Sequence, residues 1–244
     1  MNNNIRLMMS GAVAAGLVLS LVLMFSVFSP TTVLAKDNAG HGSDQLQKFK
    51  ISGKVAQAAW SIDDEETETY TDVAMFLVDS QKNVLSGYPQ SSLDIIISQY
   101  KLVEVCEVYD GEKYCYYDYE PIMEFYGFTE PSESHYAISN NLRSASLDHV
   151  SVTGYDYVSG DEKTITIDAL WSGEGNQIKI KQSYSETNEF YKISFNGMGT
   201  GRDATASADI SGDLDISLDP DSNSDSSLLK FREAYKLRII EEPY

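Results

Sequence analysis

Positive charge is scarce in this chain of 244 residues, which has 18 lysines and arginines against 37 aspartates and glutamates, and a formal net charge of −19. A surface this acidic repels the phosphate backbone of nucleic acids, so we expect no nucleic-acid partner. The simplest interpretation of the acidity is solubility or adaptation to a salty exterior. The alternative is an affinity for cations.

Histidine is rarer still, with only His41, His135 and His149. None of them belongs to a nucleophile or metal motif such as G-x-S-x-G or H-E-x-x-H. The glycine-rich segment 197–202 lies between two strand-like segments and not before a helix, so it predicts a flexible turn and no phosphate-binding loop. The sequence therefore predicts no catalytic residue, and no cofactor other than the calcium considered below.

Charge is almost absent from the first 35 residues, where Arg6 is followed by an apolar run over residues 7–28. Small residues, Val33 and Ala35, then stand where signal peptidase reads the chain, so we predict a cleaved export signal. The run of 22 residues would reach about 33 Å as a helix, enough to cross a membrane, so an uncleaved N-terminal anchor is the alternative. Both interpretations place the chain from Lys36 onward outside the cytoplasm.

Long helical periodicity is missing after the N-terminus, and apolar residues instead alternate with polar ones in about ten segments separated by turn signals. This pattern predicts an all-β fold. We expect an antiparallel two-sheet β-sandwich over residues 47–244, with a distorted barrel as the alternative arrangement. The N-terminal signal or anchor helix would cover residues 1–35, and a polar flexible linker residues 36–46.

Only two cysteines are present, Cys106 and Cys115, and they bracket an Asp110-Gly111 pair between strand-forming residues. Asp-Gly predicts a two-residue hairpin loop, which sets the two cysteines directly opposite each other in a non-hydrogen-bonded pair. That geometry suits a disulfide, and an exported protein meets an oxidising compartment. A zinc site or a redox pair would need further ligands or a Cys-x-x-Cys spacing. We therefore predict a structural disulfide.

Tyrosines are concentrated around this hairpin, and Tyr114, Tyr116, Tyr117 and Tyr119 are the candidate ligand-binding residues. Strand alternation places the first two on one face and the last two on the other. Exposed aromatic rings on an exported domain could stack on sugar rings, which makes a polysaccharide or another cell-surface molecule the candidate partner. The competing interpretation is ordinary cross-strand packing.

An oxygen-rich segment near the C-terminus is a candidate calcium loop, with Asp219, Asp221, Asn223 and Asp225 at alternate positions. It departs from the EF-hand pattern because Ser224 replaces the turn glycine and Lys230 stands where a glutamate is needed. A solvated connection between two strands explains the same residues without an ion.

The last predicted strand, residues 228–240, carries a basic row on one side, formed by Lys230, Arg232, Lys236 and Arg238. This row could meet an anionic partner. The structural interpretation, which we favour from the sequence, is that it faces acidic neighbours or protects a sheet edge.

Export, an all-β fold and the lack of a catalytic motif together favour a non-catalytic surface or binding module. Two alternatives stay open. One is a secreted hydrolase whose active site is assembled only in three dimensions, and the other is a structural domain stabilised by calcium.

Overall fold

The computed structural model describes residues 46–81, 90–110, 112–187 and 191–239. All of them belong to one compact unit. The predicted export signal or anchor and the linker up to residue 45 lie outside the described residues. Within these ranges, no helix has the length and apolar character needed to cross a membrane.

The described chain is built almost entirely from antiparallel strands, so the prediction of an all-β fold is confirmed. The strands are β1 (Leu46–Asp64), β2 (Thr69–Gln81), β3 (Gln90–Tyr109), β4 (Glu112–Thr129), β5 (Tyr136–Ile138), β6 (Ser144–Asp156), β7 (Asp161–Gly173), β8 (Ile178–Thr187), β9 (Tyr191–Gly212), β10 (Ile216–Leu218) and β11 (Asn223–Ile239). A single 3₁₀ turn, Pro220–Ser222, leads into β11 in the described part of the chain.

All eleven described strands are hydrogen-bonded into one sheet, and eight of them close into a ring. The ring runs from β9 through β11, β1, β2, β3, β4, β6 and β7 back to β9. Strand β9 is 22 residues long, which lets it pair with β8 and β11 along its first part and with β7 and β10 along its second. The predicted division into two separate sheets is therefore not confirmed.

One hydrophobic core fills the ring, because each strand directs alternate side chains inward. Trp60 of β1 and Phe125 of β4 are the largest of the fully buried side chains, each 1% exposed. Strands β2, β3 and β7 contribute rows of aliphatic residues, namely Val73, Met75, Leu77, Leu93, Ile95, Ile97, Ile165 and Ile167. Each such side chain adds about 1.5–3 kcal/mol of burial free energy, so this core dominates the stability of the domain.

The glycine-rich segment 197–202 is not a turn, so that prediction is wrong. It lies inside β9, where Gly197 and Gly201 pair with Glu233 and Leu229 of β11. A Cβ on Gly197 would stand 2.6 Å from the ring of Phe195, and one on Gly201 would stand 3.1 Å from the Leu229 side chain. Glycine is placed here because neighbouring large side chains already occupy the space above the strand.

A second group of buried side chains lies on the outer face of β9 and β11, separate from the main core. Phe195 and Tyr235 pack with their ring centroids 5.0 Å apart, and Phe231 is 8% exposed. Glu233 is 1% exposed in the same row and accepts a 2.7 Å hydrogen bond from the Tyr235 hydroxyl. Burial raises the pKa of this carboxyl, although the hydrogen bond from Tyr235 opposes the shift.

Candidate functional site

The hairpin joining β3 to β4 has the register that the Asp110-Gly111 pair predicts. Tyr109 pairs with Glu112, and Cys106 pairs with Cys115. Asp110 has a φ of 54°, as a type I′ loop requires of its first central residue. The two cysteines form a disulfide, with Cα atoms 4.1 Å apart, so the predicted bond is confirmed.

The outer part of this hairpin, residues 100–121, extends past the hydrophobic core, and we call it the tyrosine hairpin. Its base is marked by a bulge, since Tyr100 pairs with Pro121 whereas Gln99 pairs with Met123. Every β4 residue from Glu112 to Ile122 is exposed. The described ribbon contributes no side chain to the core. Its base is held by a 2.9 Å hydrogen bond from Leu102 N–H to the carbonyl of Glu68, and the disulfide ties its two strands together.

One face of the tyrosine hairpin carries three exposed tyrosines, Tyr109, Tyr114 and Tyr116, with exposed fractions of 79%, 54% and 45%. Carboxylates lie between the rings. The Tyr114 hydroxyl donates to Glu112 at 2.8 Å, and the Tyr116 hydroxyl donates to Glu107 at 3.3 Å. The face therefore offers aromatic surfaces with hydrogen-bond acceptors beside them.

These carboxylates keep the two phenols neutral. The hydrogen bond to Glu112 raises the pKa of Tyr114, and the negative charge of Glu107 is the largest cause of the raised pKa of Tyr116. Phenols ordinarily titrate near 10, so both hydroxyls are protonated at any physiological pH. Each can donate to an acceptor on a ligand if its present bond is exchanged.

The opposite face of the hairpin carries Tyr117 and Tyr119, which are 70% and 58% exposed. The disulfide lies on this face, because Glu104, Cys106 and Val108 pair with Tyr117, Cys115 and Lys113. Tyr119 lies close to Tyr70 of β2, with ring centroids 6.4 Å apart. The four predicted tyrosines are thus all exposed, but they form two surfaces and not one.

The predicted calcium segment adopts the 3₁₀ turn and the start of β11. The Asn223 amide nitrogen donates to the backbone carbonyl of Ala59 at 2.9 Å, which ties the segment to β1. In the described chain, none of the carboxylates of Asp219, Asp221 and Asp225 belongs to a set of three acidic, histidine or cysteine side chains whose ligand atoms lie within 4.8 Å of one another. Calcium binding here stays a prediction.

The basic row on β11 is not at a sheet edge, and the described residues directly opposite it on β9 and β1 are not acidic, so the structural interpretation favoured from the sequence is wrong. Strand β11 lies between β9 and β1, and its basic residues pair with Thr200, Met198, Ser194 and Lys192 on one side. Lysines of β8 and β1 extend the same face. Its eight exposed members, which we call the basic face, are Lys50, Lys179, Lys181, Lys192, Lys230, Arg232, Lys236 and Arg238.

An acid–histidine cluster that the sequence analysis did not find lies on the outer face of β6 and β7. The β6 register shifts between Leu147 and Val150, and His149 in this bulge has a φ of 49°. Its Nδ1 atom lies 3.1 Å from Asp148 Oδ1 and 3.0 Å from Asp168 Oδ1. The hydrogen bond with Asp148, followed by the charge of Asp168, raises the pKa of His149.

Beside this cluster, hydroxyl side chains form cross-strand rows on β6, β7 and β9. Ser144 pairs with Ser172, which pairs with Thr205. These residues line a shallow open cleft of about 480 Å³ together with Ser146, Ser207 and Leu170. The cleft offers hydroxyl groups and no charged side chain, and only the strand register brings these residues together.

No protein-family model matches this chain, and no curated protein matches it at a significant level.

Proposed function

We propose that the chain is an exported, non-catalytic binding module that engages a cell-surface polysaccharide through the tyrosine hairpin. The observation that carries the proposal is the exposure of five tyrosines on a ribbon that projects past the core, namely Tyr109, Tyr114, Tyr116, Tyr117 and Tyr119. Exposing so much aromatic surface costs solvation free energy, and a ligand that covers it would recover that cost.

The charge of the hairpin favours a neutral, hydroxyl-rich polymer. Residues 101–120 contain two lysines and six acidic residues, a net charge of 2 − 6 = −4. This charge would repel an anionic glycan. The carboxylates of Glu107 and Glu112 can accept hydrogen bonds from sugar hydroxyls while the rings of Tyr114 and Tyr116 stack on the apolar face of the sugar.

Export itself is part of the proposal. The apolar N-terminal run supports it, and the disulfide is consistent with an extracellular location, since such bonds persist in oxidising compartments. Cleavage after Ala35 would release the domain, whereas an uncleaved segment 7–28 would anchor it to the membrane. Mass spectrometry of protein isolated from its native host would distinguish the two, because only cleavage leaves Lys36 at the N-terminus.

We also infer that the closed sheet is flattened, so that two halves face each other as they do in a sandwich. Hydrogen bonds across the interior support this. The Trp60 indole donates to Ala206 O at 3.2 Å, and the Trp171 indole donates to Gln57 O at 3.0 Å. At one end, the Lys54 ammonium joins Asp79 of β2 at 3.1 Å to the carbonyl of Ile138 in β5 at 2.7 Å.

The test is affinity electrophoresis of the purified protein in gels containing neutral polysaccharides. Migration should be retarded by at least one of them, and Tyr114→Ala combined with Tyr116→Ala should weaken the interaction at least tenfold, since stacked rings contribute about 1 kcal/mol or more each. Tyr157→Ala is the matched control, because Tyr157 is 66% exposed but lies outside the hairpin. Retardation that the double variant leaves unchanged would refute the proposal.

A further inference from the structure

The basic face concentrates positive charge in a chain that is otherwise strongly acidic. It holds eight of the 18 lysines and arginines, so the rest of the chain has a net charge of −19 − 8 = −27. The other described residues on this side are neutral over positions 179–187 of β8, 192–200 of β9 and 230–238 of β11, namely Ser183, Ser185, Thr187, Ser194, Asn196, Met198, Thr200 and Ala234. The face therefore carries eight formal positive charges and no formal negative charge.

Grouping these charges costs folding free energy. Lys230 is directly opposite Lys54, and Lys179 and Lys181 lie across β9 from Lys230 and Arg232. Like charges in opposite positions of a sheet destabilise it. The Lys54 ammonium is paired with Asp79 at 3.1 Å, but no aspartate or glutamate occurs at the described positions directly opposite Arg232 and Lys236. An anionic ligand would remove the repulsion that the fold leaves in place.

The arrangement of the charges is linear. Lys230 and Arg238 are eight residues apart on one strand, which corresponds to about 27 Å, and Arg232 and Lys236 lie between them on the same side. Lys179 and Lys181 lie two strands away near one end, and Lys192 lies one strand away at the other. A stripe of this shape can follow several repeats of an extended polyanion.

The neutral residues of the face indicate which kind of polyanion it suits. Ser194, Asn196 and Thr200 on β9 place hydroxyl and amide groups beside the cation row, where they can hydrogen-bond to sugar hydroxyls. Met198 is the one large apolar side chain on the described face that is strongly exposed, at 57%. The face therefore lacks the apolar and aromatic residues that insert into a lipid interface.

We propose that the basic face binds a linear anionic polysaccharide, one that bears carboxylate or sulfate groups. Its cations would contact the acidic groups of successive sugar units, and the β9 hydroxyl and amide groups would contact the sugars themselves. This site is separate from the tyrosine hairpin, so the proposal can be tested independently of the function proposed above.

Isothermal titration calorimetry with heparin and with polygalacturonate tests the proposal. We expect binding at low salt, with an affinity that falls linearly in log–log form as salt rises, because bound counterions are released. Arg232→Gln combined with Lys236→Gln should weaken binding by about tenfold or more and reduce the salt slope. The matched control is Arg143→Gln combined with Lys163→Gln, which removes the same charge from outside both the basic face and the tyrosine hairpin and should leave affinity within about twofold.

Thermal melting of each variant confirms that it is folded, and Arg232→Lys, which keeps the charge, should retain binding. Absence of binding to both polysaccharides at low salt would overturn the proposal. So would equal losses in the test and control variants, since net charge and not the face would then be responsible. Equal affinity for vesicles rich in phosphatidylglycerol, or for duplex DNA, would also overturn it by showing that the sugar is not recognised.

Discussion

Removing the disulfide with Cys106→Ser and Cys115→Ser should loosen the tyrosine hairpin without unfolding the domain. The bond closes a loop of ten residues, for which the chain-entropy model gives about 2.7 kcal/mol at 25 °C. The β4 side of the hairpin is exposed from Glu112 to Ile122, so almost no core packing replaces the lost restraint. We therefore expect the loss to appear as local opening of the ribbon.

Amide hydrogen exchange measures this opening directly. A change of about 2.7 kcal/mol corresponds to about 100-fold faster exchange, and it should be confined to the paired amides of residues 102–118. Val108→Ala is the matched control, because Val108 is the next cross-strand position on the same face and is 73% exposed. Unchanged exchange in the double variant would show that the hairpin is held by something other than the disulfide. Equal acceleration throughout the core strands would show that the bond stabilises the whole domain and not the ribbon alone.

Two further predictions concern ionisable groups. Burial raises the pKa of Glu233 above 4.5, so the fold loses stability as the pH rises from 4.5 through the folded pKa, and the loss is complete above it. Glu233→Gln should therefore raise the melting temperature by about 2–4 °C at pH 8 and leave it nearly unchanged at pH 4, and an equal gain at both values would contradict this. The pKa of His149 is raised above 6.5 by Asp148 and Asp168, so its stabilisation is complete below 6.5 and is lost as the pH rises through the folded pKa. An NMR titration should give a midpoint above 6.5 that Asp168→Asn lowers, and a midpoint that does not move would refute the role of Asp168.

The tyrosine hairpin could be predicted from the sequence because its structure is determined locally. A two-residue Asp-Gly loop fixes the register of the adjoining strands, and that register in turn fixes the partner of Cys106. No information from distant parts of the chain is needed. The exposure of Tyr114 and Tyr116 did need the structure, because strand alternation gives a face but does not tell whether another element covers it.

The glycine-rich segment of β9 shows where local interpretation fails. The segment that contains Gly197 and Gly201 has a composition typical of a turn. Its sequence does not show that the side chains of Phe195 and Leu229 occupy the space above these two glycines. Leu229 belongs to β11, far along the chain from Gly201. A glycine that is needed because a distant side chain packs over it cannot be distinguished by local sequence from a glycine that is needed in a turn. Only the pairing of the strands distinguishes these two cases.

The basic face depends on pairing in the same way. Four of its members are visible as a row on β11, and the acidity of the whole chain made acidic neighbours the natural expectation. That expectation assumes that the charges of the adjoining strands follow the average composition. They do not, because β8 places Lys179 and Lys181 on the side that β9 shares with β11, while Glu186 lies on the other side. The sign of the charge on one face of a sheet is therefore determined by the register of several strands together. The net charge of the whole chain does not determine which ligand that face can bind.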